Sequence, residues 1–222
     1  MLVGTLDAVR RYPVKSLRGE ALDRVELAPD GIPGDRVAAL VVRTGNARVG
    51  KTYRGKENDR LHLFNHAETA QGCARTRGVE VELRGGDRFF DDAPISLLVD
   101  RWLDELSGAV GYEVQWERFR PNLFVRASSE FAQTESELIG ATMLLGTAVL
   151  RARSPIERCV TVTYHPSGDE SDPRILRFLA QHRNTWMGVY CDVMQPGTVG
   201  VGDALTLQRK EAPLDGASAH TR

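Results

Sequence analysis

Three short stretches of the chain place groups able to hold an anion beside a proline at the end of an apolar, strand-like run. Tyr12-Pro13-Val14-Lys15-Ser16 carries an ammonium and a hydroxyl; Phe119-Arg120-Pro121-Asn122 carries a guanidinium and an amide; Ser154-Pro155-Ile156-Glu157-Arg158-Cys159 sets a guanidinium next to a thiol. Proline fixes φ and removes a backbone donor, which suits it to the end of a strand. Arginine grips phosphate with two parallel N–H groups and lysine acts as a point charge. Strand ends that converge on one mouth would therefore assemble a phosphate site with a thiol at its side, and a neighbouring cation favours the thiolate. Taken singly, the same residues have plainer readings. Lys15 and Arg120 are then solvated strand-end charges, Asn122 caps a turn, and Cys159, followed by Val160-Thr161-Val162, is a small buried hydrophobe.

The common catalytic signatures are missing: no GxxxxGK[ST] phosphate loop, no GxSxG nucleophile elbow and no HExxH zinc helix occurs. Gly197, Gly200 and Gly202 precede a strand instead of opening a helix, so they read as turns. His62 and His66 have a spacing that chelates metal on a helix, but no third ligand is evident. The three cysteines, Cys73, Cys159 and Cys191, cannot all pair with one another and none lies in a CxxC motif, which argues against a disulfide scaffold or structural zinc.

The elements that would carry these groups follow from patterning. The 222 residues allow one domain or two small packed ones, and 41% hydrophobic with 27% charged residues is ordinary globular composition. A net charge of −1 argues against a dedicated nucleic-acid or anionic-membrane binder. No apolar window suits a membrane helix and the N-terminus shows no leader pattern, so a cytoplasmic protein is expected. Alternating or clustered aliphatic segments at Leu2–Val9, Ala21–Leu27, Val37–Val42 and Val79–Leu83, separated by turn residues, predict strands of a small barrel or sandwich. Lys51–Asp59 is polar and reads as a mobile loop. A helix is expected from Asp92 with Ile95, Leu98, Val99, Trp102, Leu103 and Leu106 as its buried stripe, ended by Gly108. Further strands are expected at Tyr112–Trp116, Asn122–Val125, Thr142–Arg151, Val160–Tyr164, Gly188–Met194 and Ala204–Leu207, with a short helix from Asp172-Pro173 and a fraying tail from Lys210. Many strands with two interspersed helices favour a β-rich α+β fold.

In this order, the motifs resemble the MOSC family, named for the C-terminal domain of molybdenum-cofactor sulfurases and including the mitochondrial amidoxime-reducing component. Tyr12–Ser16 matches its YPVKS, Gly34-Asp35-Arg36 its GDR turn, Phe119–Leu123 its FRPN followed by an apolar residue. Arg158-Cys159 with Thr161, Thr163 and Pro166 matches RCxxT with a downstream proline, and Pro196-Gly197 with Val201-Gly202-Asp203 matches the closing PG…VGD. The resemblance implies an N-terminal barrel-like β domain over 1–88, a MOSC β-barrel over 89–209 and a flexible tail over 210–222.

It further implies a molybdenum cofactor, a molybdopterin with its metal, with Cys159 as the protein thiolate on molybdenum, as suits a soft metal. Lys15, Ser16, Arg120 and Asn122 would hold the phosphate and pterin, Tyr190 would contact the cofactor, and Lys51 stands roughly where the family has an arginine. Pyridoxal phosphate binding is also associated with the family. The activity implied is reduction of N-hydroxylated small molecules, with electrons from a separate flavin or iron–sulfur protein, because the chain has no ferredoxin-like cysteine set. The alternative is a non-catalytic carrier of the cofactor, or a sulfur carrier using Cys159. Glu157 and Asp91-Asp92 depart from the family pattern of hydroxyl residues near these places, and carboxylates beside a phosphate weaken its binding unless they point away.

Overall fold

The first strand, β1 (Leu2–Arg11), buries Val3, Leu6 and Val9. That three-residue spacing is out of phase with a flat strand, and register shifts between Leu2 and Gly4 and between Leu6 and Ala8 restore it by turning the chain. The computed structural model describes residues 1–55, 60–86 and 88–208. After β1 come β2 (Glu20–Leu22), β3 (Arg24–Leu27), β4 (Ala38–Gly45), helix α1 (Ala67–Thr76) and β5 (Val79–Gly85). There follow β6 (Ile95–Val99), α2 (Asp104–Val110), β7 (Leu123–Ala127), α3 (Glu135–Leu138), β8 (Thr142–Leu145) and β9 (Ala148–Glu157). The chain continues through α4 (Pro173–His182), β10 (Trp186–Gln195), β11 (Gly197–Gly200) and β12 (Ala204–Leu207).

Seven strands, in the order β1-β12-β8-β9-β10-β6-β7, close on themselves because β1 pairs with both β12 and β7. All neighbours run antiparallel except β6 and β7. Closure removes the exposed edges that an open sheet leaves. Inside lies the main apolar core, to which Leu6, Ile95, Leu97, Leu123, Leu150 and Val189 contribute. A second core, with Leu17, Leu40, Tyr53, Leu61, Ala70 and Val79, sits beneath the β4–β5 pair and α1. The fold is thus the β-rich architecture expected, with few and short helices. None of the helices is long and apolar enough to cross a membrane.

Four local expectations are corrected. The helix expected from Asp92 is instead strand β6, whose five residues are all buried between β10 and β7. An uninterrupted apolar run satisfies helical and strand periodicity alike, and burial of both faces decided for the strand. Asp92 accepts a hydrogen bond from Ser154 Oγ (2.8 Å), and the helical part starts later, passes through Gly108 and ends at left-handed Gly111 (φ 86°). Tyr112–Trp116 is irregular; Trp116 opens a 3-10 turn and stacks on Phe124 with ring centroids 4.5 Å apart. Val160–Thr163 is also one 3-10 turn, closed by the Thr163 hydroxyl donating to Val160 O (2.7 Å) in place of a strand partner. Thr142–Arg151 is two strands folded at Gly146-Thr147.

Two helices were not expected. The alanine stripe Ala67, Ala70 and Ala74 of α1 is too small to register as an amphipathic face, while α3 is a single turn held by a capping box between Thr134 and Glu137. The helix at Asp172 forms as expected, with Pro173 in the first turn and Ile175 and Leu179 buried. Of the stretch 51–59, Thr52 pairs with Val41 and Tyr53 is buried, so its first part is tied down; residues 56–59 and the tail from 209 lie outside the described residues.

Candidate functional site

The two cores meet around a cavity of about 720 Å³. From the barrel side it receives the ends of β9, β10 and the segment before β7; from the other side come the segment after β1 and Arg54, Gly55 and His62. Six of the seven site residues named from sequence line it: Lys15, Ser16, Arg120, Asn122, Cys159 and Tyr190. Lys51 does not; it is exposed and contributes its backbone to Val42 and Arg48. Arg54, three residues on, does reach the wall.

Tyr12 is the pivot of the site. Its ring is buried, its backbone N–H donates to Asp35 Oδ1 (2.7 Å) and its hydroxyl to Pro121 O (3.1 Å). The guanidinium of Arg120 lies over one part of the ring at 4.2 Å and that of Arg36 at 4.7 Å. Burial pushes the phenol's pKa up, so it remains a neutral donor. Chain direction then places the cations: Lys15 N–H bonds to Ala38 O at the start of β4, and Ser16 takes a left-handed φ of 71° to turn the chain back.

Asn122 is buried, and its amide is committed to the protein. Its Oδ1 accepts from Ser96 Oγ (2.8 Å), Ser96 N–H (3.1 Å) and Arg36 Nη1 (3.2 Å), while Nδ2 donates to Arg10 O (3.2 Å). It therefore joins the ends of β1, β6 and β7. Ser96, a hydroxyl inside an apolar run, is the partner that sequence reading missed; a buried hydroxyl needs a hydrogen bond, and that need was the available clue.

Arg158 closes the floor. Its guanidinium donates to Met187 O through Nε (2.7 Å) and Nη2 (2.5 Å) and to Phe119 O through Nη1 (2.8 Å), joining three chain segments. Burial lowers its pKa to about 10, opposed by the nearby Tyr190 and Cys159. Gly188 sits against it at φ 86°, where a Cβ would meet Leu97 O at 2.8 Å and Arg158 Nη2 at 3.2 Å, so no larger residue fits. Arg120 is similarly depressed to about 10 by burial; Nη2 donates to Leu17 O (2.6 Å), and its other donors have no protein partner among the described residues.

Cys159 is exposed at the cavity wall, with Sγ 3.2 Å from Thr161 Oγ1. Cys191 is buried, its thiol pushed up by burial, and Cys73 is half-buried on α1. Tyr190 is half-buried on β10, its phenol raised by burial and then by Asp91. The departing carboxylates are also placed: Asp91 pairs with Lys15 Nζ at 2.6 Å, Asp92 faces Ser154, and exposed Glu157 lines the cavity. Eight lysine and arginine side chains line the cavity against four carboxylates, so a net charge near zero conceals a cationic interior.

Among the described residues no group of three histidine, cysteine or acidic side chains could hold a metal ion. His62 Nε2 lies 2.7 Å from His165 O and its ring stacks on Tyr164, which does not make a chelate with His66. A metal here would take one protein ligand, the Cys159 sulfur, with the remainder from a bound organic group. One soft donor facing several cations suits an anionic, sulfur-bearing metal cofactor.

Fold and site together define a closed β-barrel protein with a cationic, thiol-bearing cavity between two cores. The chain belongs to the MOSC domain family: the model of the MOSC domain matches residues 67–206, and that of the MOSC N-terminal beta barrel domain matches residues 3–90. Among solved structures, the YuaD protein from Bacillus subtilis is 17% identical over 92% of this chain and 94% of its own, with a TM-score of 0.55, and shares the fold. YiiM from Escherichia coli is 14% identical over 96% of this chain and 72% of its own, with a TM-score of 0.47. No curated protein matches the chain.

Proposed function

We propose that the cavity binds a molybdenum–pterin cofactor and that the loaded protein reduces N-oxygenated small molecules in the cytoplasm, with electrons from a separate flavin or iron–sulfur protein. The observation that carries this reading is the exposed Cys159 thiol on the wall of a cavity whose cations outnumber its carboxylates. Lys15 Nζ, the Ser16 hydroxyl and the uncommitted N–H groups of Arg120 hold the phosphate, and Cys159 Sγ provides the soft ligand. Arg158, bonded to Met187 O and Phe119 O, fixes the floor beside Cys159, while Asn122 and Tyr12 keep the strand ends in place. When bound, the cofactor supplies two-electron oxygen-atom chemistry. The net reaction takes R–NHOH, two electrons and two protons to R–NH2 and water.

The test is metal analysis of protein purified from a host that makes the cofactor, followed by reduction of a hydroxylamine with a viologen donor. Stoichiometric molybdenum and turnover are expected. Cys159→Ala, at an exposed position, keeps the fold by circular dichroism and loses the metal. Metal retained at wild-type level by that variant refutes the ligand assignment, and stoichiometric metal without turnover points to a carrier.

A further inference from the structure

We infer that the cavity has a second oxyanion subsite, built on Arg118, which receives a carboxylate or phosphate borne by the substrate; its assignment to substrate rests on the reductase reading above. Three guanidiniums of this cavity, Arg118, Arg120 and Arg158, make no ion pair with any carboxylate among the described residues and are held only by neutral acceptors. A charge taken out of water without a counter-charge is costly, and such an arrangement is sustained where an anion is to be bound. Two of the three have an evident anion in the proposed function. Arg120, with Lys15, faces the phosphate, and Arg158 faces the Cys159 sulfur.

Arg118 is left over, and it is the most buried of the cavity's lysines and arginines, with 6% of its surface exposed. Its Nε donates to Gln115 Oε1 (2.7 Å) and its Nη1 to Thr163 O (2.8 Å), while Nη2 has no protein partner and is not sealed off. Thr163 ends the turn that begins directly after Cys159, so the guanidinium is anchored to the segment carrying the thiol, on the side bearing Thr161 and Tyr164. Burial lowers its pKa from the usual arginine value, with Tyr112, Asp172 and Glu170 acting in the opposite sense. Asp172 is itself engaged by Arg174 (2.7 Å) and Tyr112 (2.9 Å). Glu117 and Glu157, which also line the cavity, form no ion pair with Arg118. Arg118 also borders a smaller adjoining cavity of about 500 Å³, but Asp172 and Glu170 line that one, so the anion is received from the main cavity.

The test begins with the metal-free protein and inorganic phosphate as probe, followed by titration calorimetry. Wild type is expected to take two equivalents, and Lys15→Ala/Arg120→Ala and Arg118→Gln one each. One equivalent in wild type overturns the proposal without any variant, as does loss of no site in a folded Arg118→Gln protein. With the loaded enzyme, Arg118→Gln is expected to raise KM by about 10–100-fold for an N-hydroxylated amino acid or nucleotide, in line with a lost charged hydrogen bond. It leaves KM for a neutral hydroxylamine unchanged, and Arg118→Lys recovers part of the loss. The ratio between amino acid and nucleotide distinguishes carboxylate from phosphate; an equal rise for charged and neutral substrates overturns the assignment. If the protein carries no molybdenum the reductase reading fails, yet the phosphate stoichiometry still decides whether the subsite exists.

Discussion

Asp91 is bound to the same ammonium that a phosphate would use, and its removal gives a quantitative test of the anion site. Its carboxylate lies 2.6 Å from Lys15 Nζ; the lysine side chain is 18% exposed and the aspartate side chain 71%. An ion pair with so solvated a member contributes only about 0–1 kcal/mol to stability. Against a bound dianion the same carboxylate is repulsive. At a separation of about 5 Å in a water-like dielectric each unit-charge pair costs about 0.8 kcal/mol, so a dianion is opposed by roughly 1–2 kcal/mol before salt screening. Asp91→Asn should therefore tighten binding of inorganic phosphate to the metal-free protein by about 5–30-fold at low ionic strength. Calorimetry at about pH 8, where phosphate is dianionic, reads the change, and about 0.5 M salt should shrink it. Stability should fall by less than about 1 kcal/mol. Unchanged or weaker phosphate binding in a folded variant would refute the reasoning, since Lys15 would then not be an anion ligand.

Two further outcomes are expected elsewhere in the fold. Thr185, a β-branched residue at φ 63° that directly follows left-handed Asn184, accepts the Arg158 backbone N–H through its carbonyl (2.9 Å); Thr185→Gly should relieve about 1 kcal/mol of strain, and a lower melting temperature would count against it. Asp172 caps α4, accepting from Arg174 N–H (2.9 Å), and the Arg174 side-chain hydrogen bonds hold its carboxyl at about 2, against 3.8 ordinarily. A depressed carboxyl contributes stability that is complete above the unfolded value and lost as pH falls through the folded one. Asp172→Asn, which keeps an oxygen to cap the helix, should accordingly flatten the decline in stability between about pH 4 and pH 2, measured by denaturant melts.

What the residues revealed in advance was the chemistry more than the local geometry. The Tyr12–Ser16, Phe119–Asn122 and Arg158-Cys159 stretches all arrive at one cavity, because prolines and charged residues at strand ends mark where chains leave a barrel. Conversely, Ile95–Val99 was read as helix because an all-apolar run carries no phase, and only its place between β10 and β7 defines it. The turn at Val160–Thr163 was read as strand because β-branched residues favour extension, whereas the side-chain hydroxyl of Thr163 satisfies the turn locally. Asn122 looks like a ligand in the sequence and its amide is spent on strand ends; Arg118 is defined by its bond to Thr163 O, 45 residues away. Contacts of that kind join residues far apart in the chain and leave no local pattern.

The closing of the barrel by β1 bears on the order in which the protein becomes competent. β1 pairs with β12, some two hundred residues later, and also delivers Tyr12 and Lys15 to the cavity. On a ribosome adding about 5–20 residues per second, β1 waits on the order of 10–40 s for that partner. Until β12 is made, the Lys15 side of the cavity and the later-made Arg120, Arg158 and Cys159 are not held in one place. Loading of any ligand that needs both must follow closure of the barrel by β12.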